Sequence, residues 1–518
     1  MENKRGNWGS NIGFLLAAIG SAVGLGNIWG FPYKMGKSGG FTFLVVYLML
    51  AVFVGFIIMI GELAMGRKTE TGPVGAYSMM SSRFKWVGWL AVFSPFVIMS
   101  FYSVLGGYCI EYMALNLSNM AFAGAEVKTG ADLFGSMLTN PVGCVFFTLL
   151  FMVICYLINR GGVSGGIEKF NKVGMPALFV MLVIIIIRSL TLPYASEGLK
   201  FMFVPGYAVK GGFIEKAPGI GEVLSTAGGQ MFFSLSLAMG AMITYGSYLD
   251  KKENLVKNSG IIVVADTIVA TMAGLAVIPA AVANGIAQGI AVDQIQLGGP
   301  SLLFVTLQDV FQAMGRIGPL FGVIFYLLVL IAAISSAISL IEVVITYFMD
   351  RAKVKGKEGN RSRVTLYVCL AIMVEATLVA VDGLGSNGVW IPGQASLGVA
   401  GWNDCWLDFM DMMSEGIAMP LGALLMSIMI GWEIGPKPIL DEVHSGTGNG
   451  IDGFFKICIK FLVPLGMILV LSGQIGAFFG GSFEDPTTAA KIGYILGFIV
   501  GAIALVVALT SPKRKEQH

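Results

Sequence analysis

The residues best able to do chemistry in this chain are concentrated at positions 20–32, GSAVGLGNIWGFP, where Gly20, Gly24, Gly26 and Asn27 interrupt an otherwise lipid-compatible helix. A spanning helix satisfies its backbone N–H and C=O groups internally and lipid supplies no substitute, so unwound backbone at that depth persists only where it lines a protein cavity. There the freed carbonyls can hold a cation, and the N-terminus of the half-helix that follows can hold an anion. The segment reads as a site for something zwitterionic or ion-coupled; the alternative is that the glycines serve close helix packing, as small residues do in membrane bundles. Positions 229–248, GQMFFSLSLAMGAMITYGSY, repeat the pattern, with Gly, Ser and other polar groups at the centre of an apolar segment. Interrupted spans at corresponding positions of two halves mark the binding site of a transporter. Glu62, in GELAMGR, and Asp266, in ADTIVATMAGL, are carboxylates inside apolar runs. Acids at that depth are costly and functional by default, although Asp266 could equally accept hydrogen bonds between helices. Glu375, also inside a span, suggests no role.

The elements that must position these groups follow from composition. Hydrophobic residues make up 56% of the 518 and charged residues 12%, with a mean hydropathy of +0.79; a water-soluble domain carries about 25% charged residues. The fold class is therefore all-α and polytopic, with the lipid bilayer as solvent. Given that a span needs roughly 20 apolar residues, twelve transmembrane helices are predicted, at 12–35, 41–66, 87–115, 142–158, 174–192, 222–249, 259–283, 318–350, 364–382, 413–432, 455–480 and 489–510. The first break lies in the first span and the second in the sixth, so the five-helix units they open have opposite orientations. Lys4, Arg5, Arg67, Lys68, Arg83, Lys85, Arg160, Lys169, Lys172, Lys251, Lys252, the basic run 351–363 and Lys513 to Lys515 all fall on one side. By the positive-inside rule that side is cytoplasmic and holds both termini. The first apolar segment is too long for a signal peptide and lacks a cleavage site.

Net charge of +2 leaves no polyanionic partner, nucleic acid included. The six cysteines show no CxxC spacing and read as small apolar fillers. His444 and His518 fall in polar cytoplasmic segments, away from any intramembrane metal or base role. The outer segments 193–221, 284–317 and 383–412 are long enough to be functional lids, and SLLFVTLQDVFQAMG in the second suggests a lid packed onto the bundle.

In combination, RGNWGSNIGFLLAAIGSAVGLGNIWGFPY, GELAMGR, GGVSGGIEKFNKVGMP, GLKFMFVP, GQMFFSLSLAMGAMITYGSY and IAAISSAISLIE resemble the neurotransmitter:sodium symporter family, in its bacterial amino-acid transporter branch. They cover most of residues 5–350, while the last two spans are similar only in outline. The resemblance implies a LeuT-type fold: a first five-helix repeat in 1–192, an inverted second one in 193–432 and two further helices in 433–518. It implies one sodium site at the carbonyls of Gly20, Val23 and Ala332 and the hydroxyls of Ser335 and Ser336. A second would use the Ala22 carbonyl, Asn27, Ser234, Asp266 and the substrate's own carboxylate; all-oxygen ligation suits a hard cation. Without the family, Ser335 and Ser336 are helix-interior hydroxyls bonded to the preceding turn.

For the organic substrate the resemblance points to the backbone of Ala22, Gly24, Leu25 and Gly26, with Ile98, Tyr102, Phe233, Ser234, Ser236, Met239, Ser336 and Leu340. Tyr102 by itself could be a packing aromatic with a bonded hydroxyl. Relatives that take carboxylate-free amines carry an acidic side chain at the position of Gly24. A glycine leaves that space to a substrate carboxylate, and the remaining apolar walls favour a small neutral amino acid, hydrophobic in character. Glu62 is implied to support unwound backbone. Arg5 with Asp350 matches the cytoplasmic gate, or is an interfacial ion pair of little worth. Gly30 stands where many relatives have arginine, so no outer ion pair with Asp411 is expected and outer closure falls to Tyr102 over Phe233. Asp266 aligns with a sodium-binding asparagine in one register and misses it by one in another; as a fixed carboxylate it implies chloride independence. The implied function is sodium-coupled import of a neutral amino acid by alternating access across the plasma (inner) membrane, with Na+ co-transported and no organic cofactor. The alternative is a transport-inactive amino-acid sensor of the same fold. An intramembrane hydrolase would need paired aspartates or a serine with a base at matching depth, and neither is present.

Overall fold

The computed structural model describes residues 8–121, 128–295, 297, 301–357, 359–389, 405–446, 450–480 and 488–510. Among these every regular element is helical, as apolar runs must be where the backbone has to satisfy itself. Helices α1 (Asn11–Ala22) and α2 (Gly26–Lys37) form one span bent by 45° at the first break. Continuous spans are α3 (Phe41–Thr69), α4 (Ser82–Ala121), α5 (Pro141–Arg160) and α6 (Val163–Leu190). Two short pieces follow, α7 (Ile220–Ser234) and α8 (Ala241–Gly246). Then come α9 (Leu255–Ala287), α10 (Gly315–Val354), α11 (Arg361–Asp382), α12 (Trp406–Glu433) and α13 (Asp452–Phe478), and last α14 (Thr488–Thr510).

Of the twelve predicted spans, 10 qualify by length and apolarity among the described residues when the bent pair is counted as one. The sixth is divided between α7 and α8, and the twelfth corresponds to α14. Several helices outrun their apolar windows. α6 starts at Val163 rather than 174, because GGVSGGIEKFNK continues as helix through a wide turn that buries Val163 and Ile167 while Lys169 and Lys172 face outward.

Close approach between spans depends on glycine. A Cβ on Gly66 of α3 would lie 2.0 Å from the Ile243 carbonyl, and one on Gly246 would lie 2.5 Å from that of Leu63. This seats α8, the second piece of the second broken helix, directly on α3, the small-residue packing that replaces hydrophobic driving force in lipid. Between α9 and α10, Leu302–Ala313 buries Leu303, Phe304, Leu307 and Phe311 against the bundle. Tyr326 donates to the Leu303 carbonyl at 2.9 Å and Asn116 to Gln308 at 3.1 Å, so this stretch is packed as the sequence suggests. In the third outer segment, residues 390–404 lie outside the described residues. All six cysteines are free and buried; His444 contacts Asp452 at 2.9 Å on the polar surface.

Candidate functional site

Ser10 caps α1, accepting from the Gly13 N–H at 3.0 Å. The helix ends at Ala22, where Val23 turns out of helical geometry at ψ 90. In the second break, residues 235–240 are unwound, with Ser236 at φ 52 and Ala238 at φ 61. Left-handed backbone at a non-glycine residue costs roughly 1–2 kcal/mol, so other contacts must hold it. Glu62 accepts from the Ala238 N–H at 2.8 Å, Ser236 donates to the Ser21 carbonyl at 2.7 Å, and Gln230 donates to the Gly26 carbonyl at 2.7 Å. The two breaks are thereby stitched together, and Glu62 supports unwound backbone as the resemblance implies.

Where they meet lies a small cavity of ≈ 10 Å³, lined by Ser21, Ala22, Gly24, Gly26, Tyr102, Phe233, Ser236, Met239, Ser336 and Leu340. No charged side chain is among them. Tyr102 and Phe233 meet edge-on with ring centroids 6.4 Å apart, and the Tyr102 hydroxyl accepts the Leu25 N–H at 3.0 Å. A Cβ on Gly24 would stand 2.3 Å from Ser336 Oγ and 2.6 Å from Tyr102 Oη. Three expected wall residues are not part of the lining. Leu25 reaches the site through its backbone N–H only, Ile98 is fully buried one turn before Tyr102 on α4, and the Ser234 hydroxyl is turned onto Asp266. Ser21, which nothing in the sequence singled out, takes part instead.

The candidate cation ligands fall into two groups. Ser336 donates to the carbonyls of Ser21 at 2.9 Å and Gly20 at 3.3 Å. Ser335 donates to Ala332 at 2.8 Å in its own turn and reaches the Val23 carbonyl at 3.4 Å. Gly20, Val23, Ala332, Ser335 and Ser336 therefore converge on one side of the first break. On the other side the Asp266 carboxylate accepts from Asn27 Nδ2 at 2.7 Å, from Ser234 Oγ at 3.1 and 3.0 Å, and from Tyr47 Oη at 3.1 Å. Asn27 Oδ1 accepts the Gly24 N–H at 3.2 Å. The register that brings Asp266 to Asn27 is the one adopted. Tyr47 was not foreseen; a tyrosine inside the second span carries no spacing signal of its own.

At the end of the bundle that holds Asp350, Arg5 lies outside the described residues. Asp350 accepts the Gly72 N–H at 2.7 Å. Trp8 donates to the Tyr245 carbonyl at 3.2 Å and packs edge-on against that ring at 5.0 Å. On the opposite side of the site, Gly30 provides no cation for Asp411, and the ion pair present there is a different one. At Gly30 a Cβ would meet Gln230 Oε1 at 2.7 Å, and Lys34, one helical turn later, forms an ion pair with Glu415. Asp411, one turn before Glu415 on α12, lines the same cavity as this pair. These groups border a vestibule of ≈ 410 Å³.

A membrane bundle organised around two unwound helices, with oxygen groups gathered at both breaks and closures on both sides, has the architecture of a secondary transporter. The family model described as Sodium:neurotransmitter symporter family matches residues 5–128 and 125–514. The chain belongs to this family, whose members are sodium-dependent transporters rather than enzymes. It is 34% identical over 483 residues to the uncharacterised sodium-dependent transporter YhdH of Bacillus subtilis, covering 92% of this chain and 99% of that one. It is 23% identical over 543 residues to the sodium- and chloride-dependent GABA transporter ine of Drosophila melanogaster, covering 96% of this chain and 54% of the relative. Among solved structures, MhsT in complex with L-phenylalanine superposes with a TM-score of 0.77 at 33% identity, covering 90% of this chain and 99% of MhsT.

Proposed function

We propose that this transporter is a symporter that imports a neutral, hydrophobic amino acid with sodium, by alternating access and without chloride. The observation that carries the reading is the charge-free cavity beside Gly24, enclosed by both breaks and bordered by the two oxygen groups. An amino acid brings one carboxylate and one ammonium group. Gly24 leaves the carboxylate room with no competing side chain, the Leu25 N–H that Tyr102 now accepts would turn to it, and freed carbonyls suit the ammonium. The side chain then meets Phe233, Met239 and Leu340, with no partner for a charge. At ≈ 10 Å³ the cavity holds about one water, so an amino acid enters only as Tyr102, Phe233 and Met239 give way; flexible Met239 accommodates more than one shape.

Sodium at the first group would take the carbonyls of Gly20, Val23 and Ala332, while the Ser335 and Ser336 hydroxyls rotate their hydrogens away and present lone pairs. Sodium at the second would use the Ala22 carbonyl, Asn27, Ser234 and Asp266, with the substrate carboxylate completing the shell. Asp266 supplies there the negative charge that a bound chloride would otherwise bring. In the same reading, 1–192 and 193–432 are the inverted repeats and 433–518 an appendage. The Lys and Arg distribution sets both termini in the cytoplasm of a cell whose inner membrane holds the protein.

Equilibrium binding of labelled phenylalanine to the purified protein, with competition by a panel of amino acids and amines, tests the reading. Binding should require sodium and yield to apolar amino acids. Equal competition by a carboxylate-free amine, or by aspartate and lysine, would overturn it.

A further inference from the structure

A second concavity shares no lining residue with the site at the two breaks: α4, α10 and α11 enclose a groove of ≈ 500 Å³. Its walls are valine, alanine and aromatic side chains, among them Trp89, Phe93, Tyr347, Phe348 and Tyr367, and no charged residue lines it. Trp89 of α4 packs on Tyr347 of α10 with ring centroids 4.7 Å apart. Tryptophan and tyrosine gather where hydrocarbon meets headgroups, so this end of the groove sits at that boundary, while Phe93 and Phe96, one and two turns further along α4, line its hydrocarbon end. All three helices reach the boundary at this end, and each carries a cation there. Lys85 lies one turn before Trp89 on α4, Arg351 one turn after Tyr347 on α10, and Arg363 one turn before Tyr367 on α11; all three are exposed. Arg351 Nη1 donates to Tyr347 Oη at 3.1 Å, which holds its charge at the rim. Arg83, on the same turn as Lys85, faces Glu433 at 3.6 Å. Among the described residues none of Lys85, Arg351 and Arg363 meets a carboxylate.

We propose that this groove is a binding site for one anionic phospholipid, with an acyl chain lying in the groove and the phosphate held by Lys85, Arg351 and Arg363. Charge and shape agree along its length: an uncharged channel ends in three cations that no acid neutralises. A single lysine or arginine at a helix end needs only water for its head; three of them, from three helices around one apolar groove, converge on an anion instead. Arginine takes phosphate oxygens in a two-pronged grip and lysine acts as a point charge. A zwitterionic headgroup would bring its own ammonium to the same three cations and be repelled. The groove volume falls within the range of roughly 300–1,000 Å³ typical of small-molecule sites. A lipid held there braces α4, which carries Tyr102, against α10, which carries Ser335 and Ser336.

Native mass spectrometry of the purified full-length protein in detergent tests this, by titration with phosphatidylglycerol and, in parallel, with phosphatidylethanolamine of the same acyl chains. Wild type should hold one phosphatidylglycerol more tightly than any phosphatidylethanolamine. The triple substitution Lys85→Gln with Arg351→Gln and Arg363→Gln should weaken that site by about a hundredfold, each cation beside an anionic lipid being worth about fivefold, and leave phosphatidylethanolamine binding as it was. Ala371→Trp, which fills the groove and keeps every charge, should remove the same site. All four positions are exposed, and a cooperative thermal transition checks that each variant is folded. Equal affinity of wild type for the two lipids would overturn the proposal without recourse to any variant. Tight phosphatidylglycerol binding that survives Ala371→Trp would overturn the groove as its seat, and tight binding that survives the triple substitution would overturn the three cations as its anchor.

Discussion

Replacing Asp266 by asparagine isolates charge from shape. In the native arrangement the carboxylate accepts from Asn27 at 2.7 Å, from Ser234 at 3.1 and 3.0 Å, and from Tyr47 at 3.1 Å. The new amide can keep its oxygen toward Asn27 and turn its NH2 toward Ser234 and Tyr47, whose hydroxyls rotate to accept. No buried donor need be orphaned, so the protein should fold. What disappears is one negative charge beside a cation seated on Asn27 and the Ala22 carbonyl. Two unit charges about 4 Å apart at an effective dielectric of about 20 interact by about 4 kcal/mol, which corresponds to roughly a thousandfold in sodium affinity. The assay is amino-acid uptake as a function of sodium, in chloride and in gluconate. Wild type should be indifferent to the anion, and Asp266→Asn should be inactive in gluconate, with any activity restored only by chloride. An unchanged sodium dependence in the variant, or wild-type uptake that collapses in gluconate, would refute the reasoning.

Gly24→Asp should abolish uptake in a folded protein: its Cβ would already press on Ser336 and Tyr102, and its carboxylate would repel that of the substrate in a low-dielectric site; near-normal transport by a well-expressed variant would contradict this. Removing both hydroxyls in Ser335→Ala with Ser336→Ala deletes two candidate ligands and should cost about 3 kcal/mol or more, roughly a hundredfold in sodium affinity, measured as the sodium concentration giving half-maximal substrate binding. Lys34→Met removes the outer ion pair with Glu415 and should speed substrate loss to the outside by about fivefold, as expected for a partly exposed pair worth about 1 kcal/mol; an unaltered dissociation rate would mean that Tyr102 and Phe233 close the site by themselves.

Much of this architecture was legible because lipid makes backbone satisfaction compulsory. Glycines 20, 24 and 26 with Asn27, and the polar centre of 229–248, could only be breaks or packing faces, and Glu62 beneath Ala238 shows how one break is held. The motifs that carry the family resemblance contain Gly20, Val23, Ala332, Ser335 and Ser336, whereas Asp266 stands outside them. What the sequence hid was pairing across the fold. Tyr47 joins Asp266 from a helix whose spacing says nothing about it. Gly30 brings no cation to Asp411, and the pair of Lys34 with Glu415, each one turn later in its own helix, carries no signal in either helix alone. Arg361 looked like one more charge in a solvated basic run, and only its contact with Glu342, 19 residues earlier, sets it apart. Helix ends were misjudged where polar sequence such as GGVSGGIEKFNK continues as helix outside the hydrocarbon, beyond the reach of apolar counting.

The central claim is that sodium entry drives amino-acid accumulation. It is tested most directly by following labelled phenylalanine in proteoliposomes with sodium outside and potassium inside. The account predicts accumulation above the external concentration, lost when sodium is replaced by potassium or equalised by a sodium ionophore. Sodium-dependent binding with no accumulation would mark a sensor, and accumulation indifferent to sodium would contradict the coupling outright.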